Sequence, residues 1–172
     1  MSTFRRPRGI PAAAVAQTLE RRPRWKEVDL GRREHAEQAE VVARVRALGG
    51  PDSEFALFHA VQNWAGVKNP REGAARKAEG VIAGIPDLCF PVPRGPFVGL
   101  YVEMKRIRRM LTKTKGIRED RTRCTAEQKR MQRLLREAGH CVVVCWTAEE
   151  AWDVFQWYHM GAVGAPPSGE AR

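Results

Sequence analysis

No stretch of the 172 residues approaches the roughly 20 consecutive apolar residues of a membrane-spanning helix, so no membrane span is expected. Its first residues, Met1 through Arg8, carry charge with no long apolar region behind them, and no secretory signal is expected. Cysteine is scarce and unpatterned. Cys141 and Cys145 flank Val142-Val143-Val144, and in a strand they would stand about 13 Å apart, too far to share one tetrahedral metal. The four cysteines therefore read as buried small hydrophobes in a reducing cytoplasm. There is no internal repeat and no separate second domain, although the length suffices for one real core. Acidic residues are outnumbered, 20 against 30 Lys and Arg, for a formal net charge of +10. That balance favours a polyanionic partner, nucleic acid first and an acidic membrane surface second.

Two short runs carry the chemistry. Gly84-Ile85-Pro86-Asp87-Leu88 and Leu100-Tyr101-Val102-Glu103-Met104-Lys105 read as two strands of one hairpin. Glu103 and Lys105 are two apart, so a strand points both to one face. A hairpin folded about Gly95 sets Asp87 opposite Glu103, with Cβ atoms roughly 5 Å apart. Carboxylates that close repel unless a cation lies between them. This is the geometry of a divalent-metal site with a lysine beside it. A second Glu-x-Lys, Glu127-Gln128-Lys129, lies in a helical pattern where residues two apart do not face each other. A second Pro-Asp, Pro51-Asp52, sits in turn chemistry after Gly49-Gly50.

Around this hairpin the chain divides into a basic arm (1–33), a folded domain (34–159) and a flexible tail (160–172). The arm reads either as a poorly ordered leader or as a segment that touches phosphates. Residues 34–48 are expected to be helical, with Val41, Val42, Val45 and Leu48 on one stripe that Gln38 and Glu34 extend backwards. Glu37 lies about 60° off that line, and an acidic first turn would also simply suit the helix dipole. Residues 55–61 are expected as a first strand, 63–73 as a loop, and 72–79 as a short polar helix. His59 on such a strand reads as a core or edge histidine before it reads as a ligand.

Residues 105–123 show no apolar periodicity past Leu111 and are expected to form a mobile loop. The loop would hang phosphate-binding groups beside the site: Arg106, Arg108, Arg109, Lys113, Lys115, Arg118, Arg121 and Arg123. Thr125-Ala126-Glu127-Gln128 is a capping box opening a helix to Ala138, its stripe formed by Met131, Leu134, Leu135 and Ala138. Residues 141–146 read as a buried strand parallel to 97–105. Thr147-Ala148-Glu149-Glu150 opens a last helix with Ala151, Val154, Phe155 and Tyr158 inward. The sum is one α/β domain with a mixed sheet.

In this order and spacing, Glu34 with Gln38, Gly-Ile-Pro-Asp-Leu (84–88), Val-Glu-Met-Lys (102–105) and Thr-x-x-Gln (125–128) resemble the VRR-NUC family of the PD-(D/E)XK nuclease superfamily, in its phage-type stand-alone form. The resemblance covers roughly residues 34–158. The basic insert 106–123 is longer than the family pattern, and the loop at Asn63 matches it only loosely. The resemblance implies a restriction-endonuclease-like α/β core, a mixed β-sheet flanked by α-helices. It implies a Mg²⁺- or Mn²⁺-dependent deoxyribonuclease acting on branched DNA (junction or flap), often as a homodimer, in a bacterial or phage-infected cell. Carried over, Glu34, Asp87 and Glu103 are candidate metal ligands. Lys105 positions the attacking water, and Gln128, with Gln38, supports substrate or metal. Two other readings stay open on the residues alone: a nucleic-acid-binding protein without catalysis, and a membrane- or partner-binding module using the arm with Trp152, Phe155 and Trp157.

Overall fold

The computed structural model describes residues 34–62, 69–112 and 116–167. The expected arm, Lys113, Lys115 and the last five positions lie outside the described residues. The first helix, α1 (Glu34–Arg46), lays Glu37, Val41 and Val45 along one buried line at i, i+4, i+8 spacing. The line differs from the expected stripe at both ends: Glu34 and Gln38 are half-buried, and Leu48 lies beyond the helix, 47% exposed. The expected strand 55–61 is mostly a 3-10 turn, Glu54–Leu57, followed by a two-residue strand, β1 (His59–Ala60). The turn sends Phe58 fully into the core. His59 is exposed, its Nδ1 2.7 Å from Leu57 O.

The next helix starts earlier than expected. Asn69 accepts from Glu72 N at 2.8 Å, and Pro70 occupies the first turn of α2 (Pro70–Ala78). Proline suits that position because the first-turn N–H has no helical partner. Strand β2 (Leu88–Phe90) starts at the end of the expected 84–88 run, just after Asp87, and β3 is Leu100–Met104. After a two-stranded insertion come α3 (Ala126–Glu137), β6 (Cys141–Cys145) and α4 (Ala148–His159).

The main sheet runs β1-β2-β3-β6, antiparallel except for the parallel pair β3/β6. One face carries Leu88, Phe90, Leu100, Val102, Met104 and Val143 into the core, against Val41 and Val45 of α1 and Val154, Phe155 and Tyr158 of α4. Phe155 meets Phe58 and Phe90 at ring-centroid distances of 5.3 Å each. Fully burying a side chain of this size is worth roughly 1.5–3 kcal/mol. The opposite face carries Glu103 and is covered by α3. This is the mixed sheet flanked by helices of a restriction-endonuclease-like core. On α3 the buried positions are Met131 and Gln132, while Leu134, expected inward, is 39% exposed. The chain stays packed past α4, where Ala162 is buried and Trp157 Nε1 donates to Val163 O at 2.9 Å.

The basic insert is not a loop. It forms a separate antiparallel ribbon, β4 (Ile107–Thr112) with β5 (Gly116–Arg121). Opposite charges meet across it in register, Arg108 with Asp120 and Arg109 with Glu119, the latter at 2.7 Å. Its root is fastened to the body. Thr122 N and Oγ1 both donate to Arg106 O, at 3.0 and 2.9 Å. Trp146 Nε1 donates to Thr122 O at 3.1 Å.

Candidate active site

The β2/β3 register pairs Leu88 with Val102, so Asp87, one residue earlier, falls opposite Glu103. Asp87 is buried, and its Oδ2 accepts from Met104 N at 2.9 Å. Its own carbonyl accepts from Val61 N at 2.8 Å, which fixes the backbone from the β1 side. Lys105 continues the parallel ladder, donating its N–H to Cys145 O at 2.8 Å.

Among the described residues Glu103 is the most enclosed charged side chain, 1% exposed. Its Oε1 accepts from Lys105 Nζ at 2.9 Å and from Gln128 Nε2. Its Oε2 is buried and has no hydrogen-bond partner among the described residues. A buried carboxylate oxygen left bare is costly unless something with positive character meets it.

Gln128 closes the arrangement. Its Oε1 accepts from Lys105 Nζ at 2.9 Å and from Thr125 N at 2.9 Å, while Thr125 Oγ1 accepts from Gln128 N. The capping box expected from sequence therefore has a second use: it locks a glutamine whose amide bridges Glu103 and Lys105. Gly84 brings this helix start into place. It has φ +80°, and a Cβ on it would stand 2.6 Å from the Glu127 carbonyl carbon. Only a residue without a side chain lets the Gly-Ile-Pro-Asp loop lie on the first turn of α3.

Burial and then the Asp87 charge push the Glu103 carboxyl up to about 7, against a pull from Lys105. Glu34, at the start of α1, is raised by burial and then by Asp87, with Lys105 acting the other way. For Lys105, burial works downward, but the hydrogen bond and charge of Glu103 help carry it above its ordinary value. Glu34, Asp87, Glu103 and Lys105 thus form one electrostatic group, three carboxylates against one ammonium. Glu37 is elsewhere. Its Oε2 accepts from Ala148 N at 2.7 Å, so it caps α4. Gln38 stays half-buried on α1.

Among the described residues, no three His, Cys, Asp or Glu side chains are gathered into a ready metal cage. The donor chemistry nevertheless fits a hard cation. The available groups are carboxylate oxygens, one of them bare, and Mg²⁺ keeps several waters and takes only one or two protein carboxylates.

No family model matches the chain, and no curated protein matches it either. Among solved structures, a "VRR_NUC domain protein" is similar at 25% identity and a TM-score of 0.57, over 74% of this chain and 88% of that one. The likeness supports a VRR-NUC nuclease domain. A nuclease is a hydrolase.

In this VRR-NUC-like domain the basic set is dispersed. Arg108 and Arg109 on β4, Arg118 and Arg121 on β5, and Arg123 beyond it are exposed, and Arg106 is half-buried at the ribbon root. Arg109 pairs with Glu119. Arg121 pairs with Glu150 at 2.8 Å and lies 4.8 Å from the Trp146 ring centroid. Two of the expected phosphate contacts are therefore already held inside the molecule. Sequence reasoning missed the clamp at Thr122 and the cap supplied by Glu37, whose partners lie far along the chain.

Proposed function

We propose that this chain is a Mg²⁺- or Mn²⁺-dependent deoxyribonuclease of the PD-(D/E)XK superfamily, a phage-type stand-alone enzyme that hydrolyses phosphodiester bonds in branched DNA. The observation that carries the reading is the buried Glu103, with one oxygen held by Lys105 and Gln128 and the other unpartnered, facing Asp87 across the strand pair. Glu34, Asp87 and Glu103 would hold the cation. A bound divalent cation supplies a water of lowered pKa and relief of negative charge on the phosphate.

The chain's own groups do the rest. Lys105 presents an ammonium, oriented by Gln128 Oε1, to a non-bridging phosphate oxygen or the attacking water. Gln128 keeps Glu103 in one rotamer, so its bare oxygen is aimed before substrate arrives. Asp87 is held by Met104 N and carries the second carboxylate without moving. Four free cysteines suit the reducing interior of a bacterial or phage-infected cell. A two-fold homodimer would present two such sites to a junction, and light scattering at the monomer mass with junction cleavage intact would remove it.

The deciding experiment is cleavage of labelled single-stranded, duplex, flap and four-way DNA with Mg²⁺ and with EDTA. Glu103→Gln serves as the matched inactive variant. The proposal requires metal-dependent cleavage of the branched substrates; cleavage unchanged by EDTA or by Glu103→Gln would refute it. A second reading, a nucleic-acid-binding protein without catalysis, draws on the closed Glu103–Lys105 pair, which could serve the fold alone. It predicts tight binding and no cleavage on any substrate.

A further inference from the structure

Beside the carboxylate centre, a cavity of about 780 Å³ opens between the root of β5, the length of α3 and the end of β6. It lies on the active face of the sheet. Val144, one of its walls, is the register partner of Glu103. Cys124, another wall residue, lies within electrostatic reach of Lys105. The lining is strongly positive. Arg121, Arg123, Lys129 and Arg136 face it, against the single carboxylate of Asp120. That carboxylate already stands opposite Arg108 in the ribbon.

The cations differ in what holds them. Arg121 lies over the Trp146 ring and is tied to Glu150. Arg136 donates to Val142 O at 2.9 Å, a contact that leaves its charge unneutralised. Arg123 and Lys129 make no ion pair among the described residues, and both are exposed. Two uncompensated cations at the mouth and two braced guanidinium groups call for an anionic occupant with several oxygens. Pockets for small ligands span roughly 300–1,000 Å³. At about 780 Å³ this one is the size of a nucleotide rather than of a turn of base-paired helix. Nucleobases also stack on guanidinium planes such as the one Trp146 supports under Arg121.

We propose that this cavity is a single-strand nucleotide site, seating the phosphate and base of an unpaired nucleic-acid strand next to Glu103 and Lys105. Its place beside a cleavage centre rests on the nuclease reading; the binding itself does not. None of Lys129, Gln132, Arg136 or Trp146 was marked by sequence as a nucleic-acid contact. Their approach to Arg121 and Arg123 is created by α3 packing beneath the ribbon root.

The test is equilibrium binding in EDTA, by fluorescence anisotropy, of a short labelled oligothymidylate and of a blunt duplex of equal length. Arg123→Ala with Lys129→Ala empties the cavity mouth of charge at exposed positions, so the fold is retained. Arg130→Ala with Arg133→Ala removes equal charge from the same helix outside the cavity. The cavity pair is expected to weaken single-strand binding about tenfold or more and to lower the salt slope by roughly 1.4, the value for two phosphate contacts on a single strand. The control pair and the duplex should change by less than about threefold, as a purely diffuse field effect would. Equal losses for both variant pairs, or for both ligands, would overturn the site. Binding as expected with no cleavage on any substrate would leave the site standing and remove the nuclease reading. Metal-dependent cleavage with an indifferent cavity pair would do the reverse.

Discussion

Asp87 combines two roles that a mutation can separate. Its Oδ2 accepts from Met104 N, a bond an asparagine oxygen can also accept. Its charge faces Glu103 and Glu34, where it raises both carboxyls. Asp87→Asn is therefore expected to abolish cleavage while keeping the fold. It should raise metal-free thermal stability slightly and cancel the stabilisation that Mg²⁺ gives by mass action. Lys105 keeps its ion pair with Glu103 in the variant, so no buried ammonium is stranded. Melting curves with and without Mg²⁺ check this, and a variant that melts lower yet still cuts DNA would contradict it. The two glutamates of α1 should part company in the same way. Glu34→Gln is expected to cost activity and little stability. Glu37→Ala is expected to cost about 1–3 kcal/mol, because it strips a buried acceptor from Ala148 N. Denaturant midpoints and cleavage rates of the two variants distinguish them.

Glu103 also sets a pH dependence at the residue scale. Its carboxyl is raised from 4.5 to about 7 in the folded protein. Below the unfolded value both states are protonated and the group contributes nothing to the slope. Between the two values the unfolded chain has ionised while the folded chain keeps its proton, so stability falls as pH rises. The total is about 3 kcal/mol, lost by the time pH passes the folded value. Metal-free unfolding measured from pH 4 to 8 should show this fall, and Glu103→Gln should flatten it. A wild-type profile that rises over that window would contradict the assignment.

At the scale of elements, the contact between the 84–87 loop and α3 decides whether Gln128 reaches Glu103. Gly84 and Gly80 both have positive φ, +80° and +88°, but only Gly84 has backbone against its missing Cβ. The backbone penalty alone is roughly 1–3 kcal/mol for either Gly→Ala change. Gly84→Ala must also push α3 away, so its loss of stability and cleavage should exceed that of Gly80→Ala. Equal losses would mean that the close approach does not position the site. The β4/β5 ribbon is the other element that matters. An isolated two-stranded ribbon is marginal in water, and its exposed Arg109–Glu119 pair is worth little. Its order comes from Thr122, Arg121 and Trp146 at the root.

At the scale of the whole molecule, the formal charge of +10 belongs to the full sequence, and residues 1–33 alone carry nine Lys and Arg against three Asp and Glu. Binding to DNA should therefore be governed by phosphate contacts. The logarithm of affinity should fall linearly with the logarithm of salt, each neutralised phosphate adding roughly 0.9 to the slope on duplex. A filter-binding series between low and physiological salt measures this, and an affinity indifferent to salt would exclude a phosphate-dominated interface.

What the sequence by itself determined is the local chemistry. The caps at Thr125 and Thr147 each join residues three apart. The facing of Asp87 and Glu103 follows from strand alternation and a short turn, and the inward line Ala151, Val154, Phe155, Tyr158 follows from helical spacing. These need only neighbours along the chain. The tertiary structure decided what depends on the packing of distant layers. Glu37 became a cap because α1 lies against the start of α4, 111 residues later. The basic insert became a ribbon because Thr122, Arg121 and Trp146 clamp its root to the body, contacts invisible as periodicity within the insert. Gln128 became part of the site because Gly84 lets α3 approach. Burial, which only the fold creates, then turned Glu103 from an ordinary carboxylate into one balanced near neutrality.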